Sequence, residues 1–122
     1  MKAVHIKDYG DIDKLNWGEV PDPIENKKRI IVKIKASAIN HLDIWIRKGI
    51  PGHKINDLFI LGSDASGEII NVGSKVEGYK IGDKVVIQPG IFKETSKKYD
   101  RGKEHYSQSY GIIGETVNGV QS

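Results

Sequence analysis

Apolar and polar residues alternate along residues 29–38, and this pattern constrains the fold more than any other feature of the chain. Because side chains of a β-strand point alternately to the two faces of a sheet, the alternation predicts a strand. One face is apolar, while the other carries mostly lysine and serine. The apolar set is Ile30, Val32, Ile34, Ala36 and Ala38. A strand with one face toward the core and one solvent-exposed face is typical of an antiparallel sheet.

Further short apolar runs, separated by Gly and Pro turns, predict more strands. These runs cover residues 2–6, 15–20, 68–72 and 84–88. Between them the apolar period becomes helical from His41 to Lys48. Asn40 suits the N-cap of that helix and Gly49 the position after its end. We therefore expect a mainly β, barrel-like antiparallel domain with a short helix.

Length and charge limit the classes of function. The chain has 122 residues, which is enough for one domain with its own core. Its net charge of +3 is small, and acidic residues interrupt the lysines of residues 93–103, so we predict a solvated face rather than a nucleic-acid surface. It contains no cysteine, which excludes thiolate metal sites. No apolar stretch approaches the roughly 20 residues that span a membrane. We expect a cytoplasmic protein with neither nucleic-acid nor membrane partners.

Polar side chains gather in two stretches, each of which follows an apolar run. The first stretch is residues 39–45 and contains Asn40, His41 and Asp43. The second is residues 61–67 and contains Ser63 and Asp64. Polar groups at the ends of strands are where a scaffold commonly presents chemistry. The residues alone leave a structural alternative open, in which these side chains only cap a helix and a turn.

The common catalytic motifs do not fit these stretches. Residues 62–67 and 73–78 have the outer glycine spacing of a phosphate-binding loop, but neither is followed by the Lys-Ser or Lys-Thr that grips phosphate. No Gly-x-Gly-x-x-Gly is present, so the chain has no dinucleotide-binding fingerprint. A metal on His41, Asp43 and Asp64 stays open as a weaker alternative.

Several motifs, in their order and spacing, resemble the medium-chain dehydrogenase/reductase superfamily over nearly the whole chain. They are Glu19-Val20-Pro21-x-Pro23, Val32-Lys33-Ile34-Lys35-Ala36, Ile39-Asn40-His41-Leu42-Asp43, Leu61-Gly62-Ser63-Asp64-Ala65-Ser66-Gly67-Glu68-Ile69, Val72-Gly73 and Gly82-Asp83-Lys84-Val85. The superfamily contains zinc-type alcohol dehydrogenases, quinone oxidoreductases and enoyl reductases. The resemblance implies its N-terminal, substrate-side catalytic domain. That domain has a GroES-like fold, a partly open antiparallel β-barrel with one or two short helices.

The departures from the zinc-type pattern imply a zinc-independent member. Zinc-type members have a zinc-ligating cysteine in the place of Asn40 and a histidine in the place of Ser63. The hydroxyl of the family's proton relay is missing at Leu42, and Asp64 stands in place of a glutamate. Asn40 is similar to the asparagine that zinc-independent quinone reductases hold near the nicotinamide.

The resemblance also implies roles for the other site residues. His41 would contact the cofactor ribose or phosphate, and Trp45 would shape the substrate pocket. Asp43, Ser63 and Asp64 would set the polarity of the cleft beside Asn40.

Residues 91–109 lie where the family carries its structural-zinc lobe. The four cysteine positions of that lobe correspond to Lys93, Ser96, Tyr99 and Ser107, so we expect a zinc-less remnant. Zinc supplies folding energy to such lobes. Without it, residues 91–109 are expected to be mobile or to be held by other contacts, such as those of Tyr99 and Tyr106.

We expect residues 1–122 to be a single domain that stops before the family's Rossmann cofactor domain. That domain would be the partner in a complete enzyme, which would use NAD(P) although this chain alone would bind no cofactor. Unpaired sheet edges would favour a homo-oligomer. The alternative is a non-enzymatic, dehydrogenase-derived β module that self-associates or binds a protein partner.

Overall fold

Antiparallel strands dominate this computed structural model, which describes residues 1–55, 57–92 and 102–122. The described strands are β1 (Lys2–Ile6), β2 (Asn16–Glu19), β3 (Ile30–Ala38), β4 (Phe59–Ile60), β5 (Asp64–Val72), β6 (Lys84–Val86), β7 (Gly90–Ile91) and β8 (Gly111–Ile112). One α-helix, α1, spans His41–Lys48, and two short 3-10 turns span Ile12–Lys14 and Glu104–Tyr106.

The strands form small sheets that do not close into one barrel. Their orders are β2-β1-β4, β3-β5-β6 and β7-β8, and every pairing is antiparallel. The expected partly open antiparallel architecture is thereby confirmed. Among the described helices none is long and apolar enough to cross a membrane.

β3 departs from the simple alternation of its sequence. Its pairing with β5 shifts between Ile31 and Val32 and again between Ile34 and Ala36. Such bulges re-aim the side chains that follow them. As a result Ile30, Val32 and Ile34 are half-buried, whereas Ala36 and Ala38 of the same predicted face are exposed. The prediction of one continuous core face was wrong for the second half of the strand.

β5 begins at Asp64, four residues earlier than the sequence pattern predicted. Gly67 lies inside the strand, where a Cβ would overlap the backbone oxygen of Lys33. Glycine therefore lets β3 and β5 approach closely at this point. The earlier start places Asp64 opposite Ala38, beside the beginning of α1.

α1 has the boundaries that the sequence predicted. Asn40 is its N-cap residue in an extended conformation, and Gly49 follows it with a φ of 92°, a value that favours glycine. The helix buries Ile46 in a cluster with Ile6, Phe59 and Leu61. A second buried cluster contains Ala3, Val20 and Ile60. The first cluster joins α1 to β1 and β4 and so fixes the position of the helix against them, whereas the second joins β1 and β4 to Val20.

Residues 118–122, here termed the 118–122 segment, pair with the chain around β4 and β1. Gly119 N–H donates to the Ile60 carbonyl at 2.7 Å, and Val4 N–H donates to the Gln121 carbonyl at 2.8 Å. Val120 and Gln121 donate in turn to the carbonyls of Gly62 and Leu61. The segment therefore covers the backbone immediately before Ser63.

The expected zinc-less lobe is only partly described. Lys93, Ser96 and Tyr99 lie outside the described residues. At the fourth position, the hydroxyl of Ser107 is 2.9 Å from that of Ser109. Tyr106 is mainly exposed, and its ring centroid lies 4.2 Å from that of His105. The mobility of residues 91–109 stays a prediction.

Candidate active site

The two polar stretches meet where β3 runs into α1 and where β5 begins. The carboxamide nitrogen of Asn40 donates to Asp64 Oδ2 at 2.9 Å. Asn40 is half-buried and Asp64 is exposed, so solvent reaches this pair. A carboxamide nitrogen carries two protons. Within the described residues, this bond accounts for one proton of Asn40 Nδ2, so the other is available to a ligand.

Asp43 lies behind this pair and is buried, with 5% of its surface exposed. Its Oδ2 accepts the backbone N–H of Asn40 at 2.8 Å, and its Oδ1 accepts that of Gly62 at 2.9 Å. The side chain of Gln121 donates to the same carboxylate at 3.3 Å. One carboxylate thus ties the start of α1 to the chain that leads into β5, and it holds both polar stretches in register.

Ser63 is also buried, with 4% exposure. Its hydroxyl has no hydrogen-bond partner among the residues that the structure describes. Gly114 closes over it, because a Cβ at that glycine would lie 3.1 Å from Ser63 Oγ. Buried hydroxyls without partners are uncommon and call for a physical explanation. An enclosed water molecule would satisfy this donor.

His41 and Trp45 occupy one exposed face of the first turns of α1. Their ring centroids lie 5.2 Å apart with planes tilted by 57°. Residues four apart are neighbours on a helix surface, which explains the contact. Trp45 keeps 54% of its surface exposed. The two rings offer an aromatic, solvent-facing surface next to Asn40.

A cavity of about 510 Å³ opens on the other side of α1. Its apolar lining includes Trp17, Ile39 and Leu61, and Asp43 also lines it. Trp45, which was predicted to shape the pocket, is not among the lining residues of this cavity. Arg47 borders the cavity, but its guanidinium donates to the Gly10 carbonyl at 2.6 Å. The cavity therefore adjoins the site through Asp43 rather than through Asn40.

Sequence reasoning missed Gln121 and the backbone of Gly62 as parts of this arrangement. Gln121 is separated from Asp43 by 78 positions. No local pattern signals such a contact. Gly62 has a φ of 96°, which side chains rarely adopt, so the presence of a glycine at this position was the one weak signal in the sequence.

The described residues contain no cluster of three His, Asp or Glu side chains placed to hold a metal. His41, Asp43 and Asp64 are all described, so the weaker metal alternative has no geometric support. The carboxylate of Asp43 is already engaged by three N–H donors.

A profile of the alcohol dehydrogenase GroES-like domain family matches residues 26–122. The chain belongs to this family. An NAD-dependent alcohol dehydrogenase of Sulfolobus acidocaldarius is 27% identical over 124 aligned residues, which cover 98% of this chain and 36% of that protein. A chloroplastic quinone oxidoreductase of Triphysaria versicolor is 35% identical over 95 residues, covering 75% of this chain and 29% of that protein.

Solved structures of the family have the same fold. A crystal structure of an NAD-dependent alcohol dehydrogenase superimposes with a TM-score of 0.88 at 36% identity, covering 98% of this chain and 35% of that chain. The resemblance to the medium-chain dehydrogenase/reductase superfamily is thereby confirmed. This GroES-like chain spans about a third of the length of these two full-coverage relatives.

Proposed function

We propose that the chain is the substrate-side domain of a zinc-independent, NAD(P)-dependent oxidoreductase. In a complete enzyme the reaction would be hydride transfer to or from a carbonyl or an activated double bond. Membership of the alcohol dehydrogenase GroES-like family supports the reaction class. The likeness to a quinone oxidoreductase supports a quinone as a candidate acceptor.

The bond between Asn40 and Asp64 is the observation that carries this proposal. By fixing one proton of the carboxamide, Asp64 orients the second N–H of Asn40. An oriented N–H donor stabilises negative charge that develops on an oxygen atom during hydride transfer. Ser63, the residue before Asp64, has a buried hydroxyl without a partner among the described residues, and this group adds polarity beside the cleft. In this scheme, Asn40 contacts the reacting oxygen, Asp64 orients Asn40, and Ser63 contributes to the polarity of the cleft from its buried position.

The donor set at these positions suits an organic oxygen better than zinc. Zinc sites in proteins use thiolate, imidazole and carboxylate ligands, whereas Asn40 and Ser63 offer a neutral carboxamide and a hydroxyl. Asp43 positions both stretches through their backbone rather than touching substrate.

NAD(P) would supply or accept the hydride. The fit of this chain to the cofactor rests on the exposed surface made by His41 and Trp45. In a complete enzyme His41 would donate to cofactor ribose or phosphate oxygens. Trp45 would form an apolar wall of the cleft. The partner domain would hold the rest of the cofactor.

A longer protein that joins residues 1–122 to a family cofactor domain tests the proposal. We expect it to oxidise NADH or NADPH in the presence of a naphthoquinone, with a rate that a zinc chelator leaves unchanged. Asn40→Ala should lower kcat/KM by about 100-fold or more, as removal of other oxyanion donors does. Asn71→Ala is the matched control, because within the described residues the side chain of Asn71 bonds to exposed Glu25, at 2.9 Å, and to no group of the site.

Two results would contradict this scheme. Unchanged kcat/KM in Asn40→Ala would remove Asn40 from the reaction, and loss of activity on zinc chelation would remove zinc independence. Failure of every longer protein to bind either nucleotide would favour the non-enzymatic alternative.

That alternative, a β module that self-associates, has its own support in exposed apolar side chains. Trp17, Ile39 and Val86 are 64%, 82% and 84% exposed, and they lie in or beside strands that form sheet edges among the described residues. Exposed apolar patches commonly mark interfaces. Sedimentation of the 122-residue chain would show a concentration-dependent oligomer if the module self-associates. The cytoplasmic location and the absence of nucleic-acid and membrane partners stay predictions.

A further inference from the structure

Asn118-Gly119 is the one Asn-Gly step of the sequence. In such a step the backbone nitrogen of glycine can attack the carboxamide carbon of asparagine, because glycine has no side chain to hinder the approach. The nitrogen loses its proton to solvent and forms a bond to Cγ, and the Cγ–Nδ2 bond breaks to release ammonia. Water then opens the resulting succinimide and yields aspartate or isoaspartate.

In the folded chain both reacting groups bond to a single residue. Asn118 Oδ1 accepts the backbone N–H of Ile60 at 3.0 Å, and Gly119 N–H donates to the Ile60 carbonyl at 2.7 Å. The attacking nitrogen therefore keeps its proton in a short hydrogen bond. The carboxamide of Asn118 is held by the backbone N–H of Ile60, so it cannot rotate freely toward the nitrogen of Gly119.

The place that Gly119 occupies leaves no room for a changed backbone. A Cβ built at Gly119 would overlap the carbonyl oxygens of Leu61 and Gly62. Isoaspartate inserts an extra methylene into the main chain at position 118. The bonds from Gly119 to Ile60 and from Val120 to Gly62 could not then form together in their present register.

We propose that Asn118-Gly119 is a deamidation site that pairing with Ile60 protects, and that isoaspartate at this position releases the 118–122 segment. Release removes the bond from Gln121 to Asp43 and uncovers the backbone before Ser63. The inference does not depend on the proposed function, since it rests on the pairing and on the chemistry of the dipeptide.

Ageing of the 122-residue chain at mildly alkaline pH tests the protection. Peptide mapping by mass spectrometry, with isoaspartyl methyltransferase labelling, would follow residue 118 in the folded chain and in urea. We expect conversion to be at least about tenfold slower in the folded chain, because reaction requires local opening. Asn71, which precedes a β-branched valine in β5, is the internal control and should convert far more slowly than Asn118 in urea.

A variant separates protection by the segment from general stability. Gln121→Ala removes one anchor of the segment and leaves the Asn-Gly step intact, so residue 118 should convert faster while the chain remains folded. Equal conversion rates in the folded chain and in urea would overturn the proposal. An unchanged rate in folded Gln121→Ala would overturn the role of the segment.

The product provides the second half of the test. After isolation of the isoaspartyl form, amide hydrogen exchange at Ile60 and Gly119 should be at least about tenfold faster than in the unaged chain. Asn118→Asp keeps the backbone length and an acceptor for Ile60, so its exchange should stay close to that of the parent. Full protection of Ile60 in the isoaspartyl form would overturn release of the segment.

Discussion

The junction of β3, α1 and β5 has a buried side and an exposed side that use the same residue types differently. On the buried side, Asp43 accepts three hydrogen bonds and Ile46 is fully enclosed. On the exposed side, Asp64 accepts one bond from Asn40, and Ile44 keeps 37% of its surface exposed. Apart from the hydroxyl of Ser63, the buried polar groups named here are engaged in building the fold, whereas the exposed side keeps unused hydrogen-bonding capacity.

This difference indicates which polar residues of the domain are available to a ligand. A carboxylate whose oxygens are filled by backbone donors sets geometry and has little capacity left for a ligand. An exposed carboxylate that orients a neighbouring amide can still adapt to a ligand. Substitutions on the two sides should therefore separate effects on stability from effects on activity.

The largest expected effect on stability comes from the isoleucines of α1. Ile46→Ala would leave a cavity beside Ile6 and Leu61 and should lower the free energy of unfolding by about 2–5 kcal/mol. Ile44→Ala, on the exposed side, should cost less than about 1.5 kcal/mol. Urea unfolding of both variants measures the difference. Equal losses would mean that the exposed face of α1 is covered in solution, for instance by a second copy.

The two aspartates give the next largest contrast. Asp43→Ala would leave two backbone N–H groups without their acceptor and should cost about 2–4 kcal/mol. Asp64→Ala should change stability by less than about 0.5 kcal/mol, since surface interactions of this kind contribute little. Thermal unfolding of the pair would check this. A larger loss in Asp64→Ala than in Asp43→Ala would reverse the assignment of the two sides.

Gln121→Ala tests how much the 118–122 segment adds to the buried side. The bond to Asp43 is long at 3.3 Å, so its loss should cost only about 0.5–1.5 kcal/mol. Hydrogen exchange at Gly62 should rise, because the same carboxylate loses one of its anchors. If hydrogen exchange rises by very different factors at Asn40 and at Gly62, Gln121 stabilises only one of the two polar stretches, residues 39–45 or residues 61–67.

The smallest effect concerns charge far from the junction. In a chain that begins at Met1, the hydrogen bond from its amino group to Asp22, 2.7 Å long, raises the pKa of that amine from 8.0. Because the folded pKa is raised, the contribution to stability is complete below about pH 8 and is lost as the pH rises through the folded pKa. Asp22→Asn should remove most of this pH dependence and leave the smaller part that Glu19, 3.7 Å from the amine, contributes. Persistence of the full pH dependence in that variant would assign it to another group.

Local patterns predicted much of the fold and part of the site. The limits of β1 and α1 were read correctly, because alternation, an N-cap asparagine and a following glycine are all local signals. The start of β5 and the exposed end of β3 were not, since bulges and the close approach at Gly67 arise only when two strands pair. The roles predicted for Asn40, His41, Asp43, Trp45, Ser63 and Asp64 stay predictions.

The sequence by itself determined the family, the mainly β architecture and the two stretches that carry polar side chains. Only the tertiary structure decided that Asp43 faces inward, that Asn40 meets Asp64, and that Ser63 is buried without a partner among the described residues. These contacts join positions 19 and 24 residues apart. Their formation depends on how separate strands and a helix pack, and no periodicity within either stretch encodes that packing.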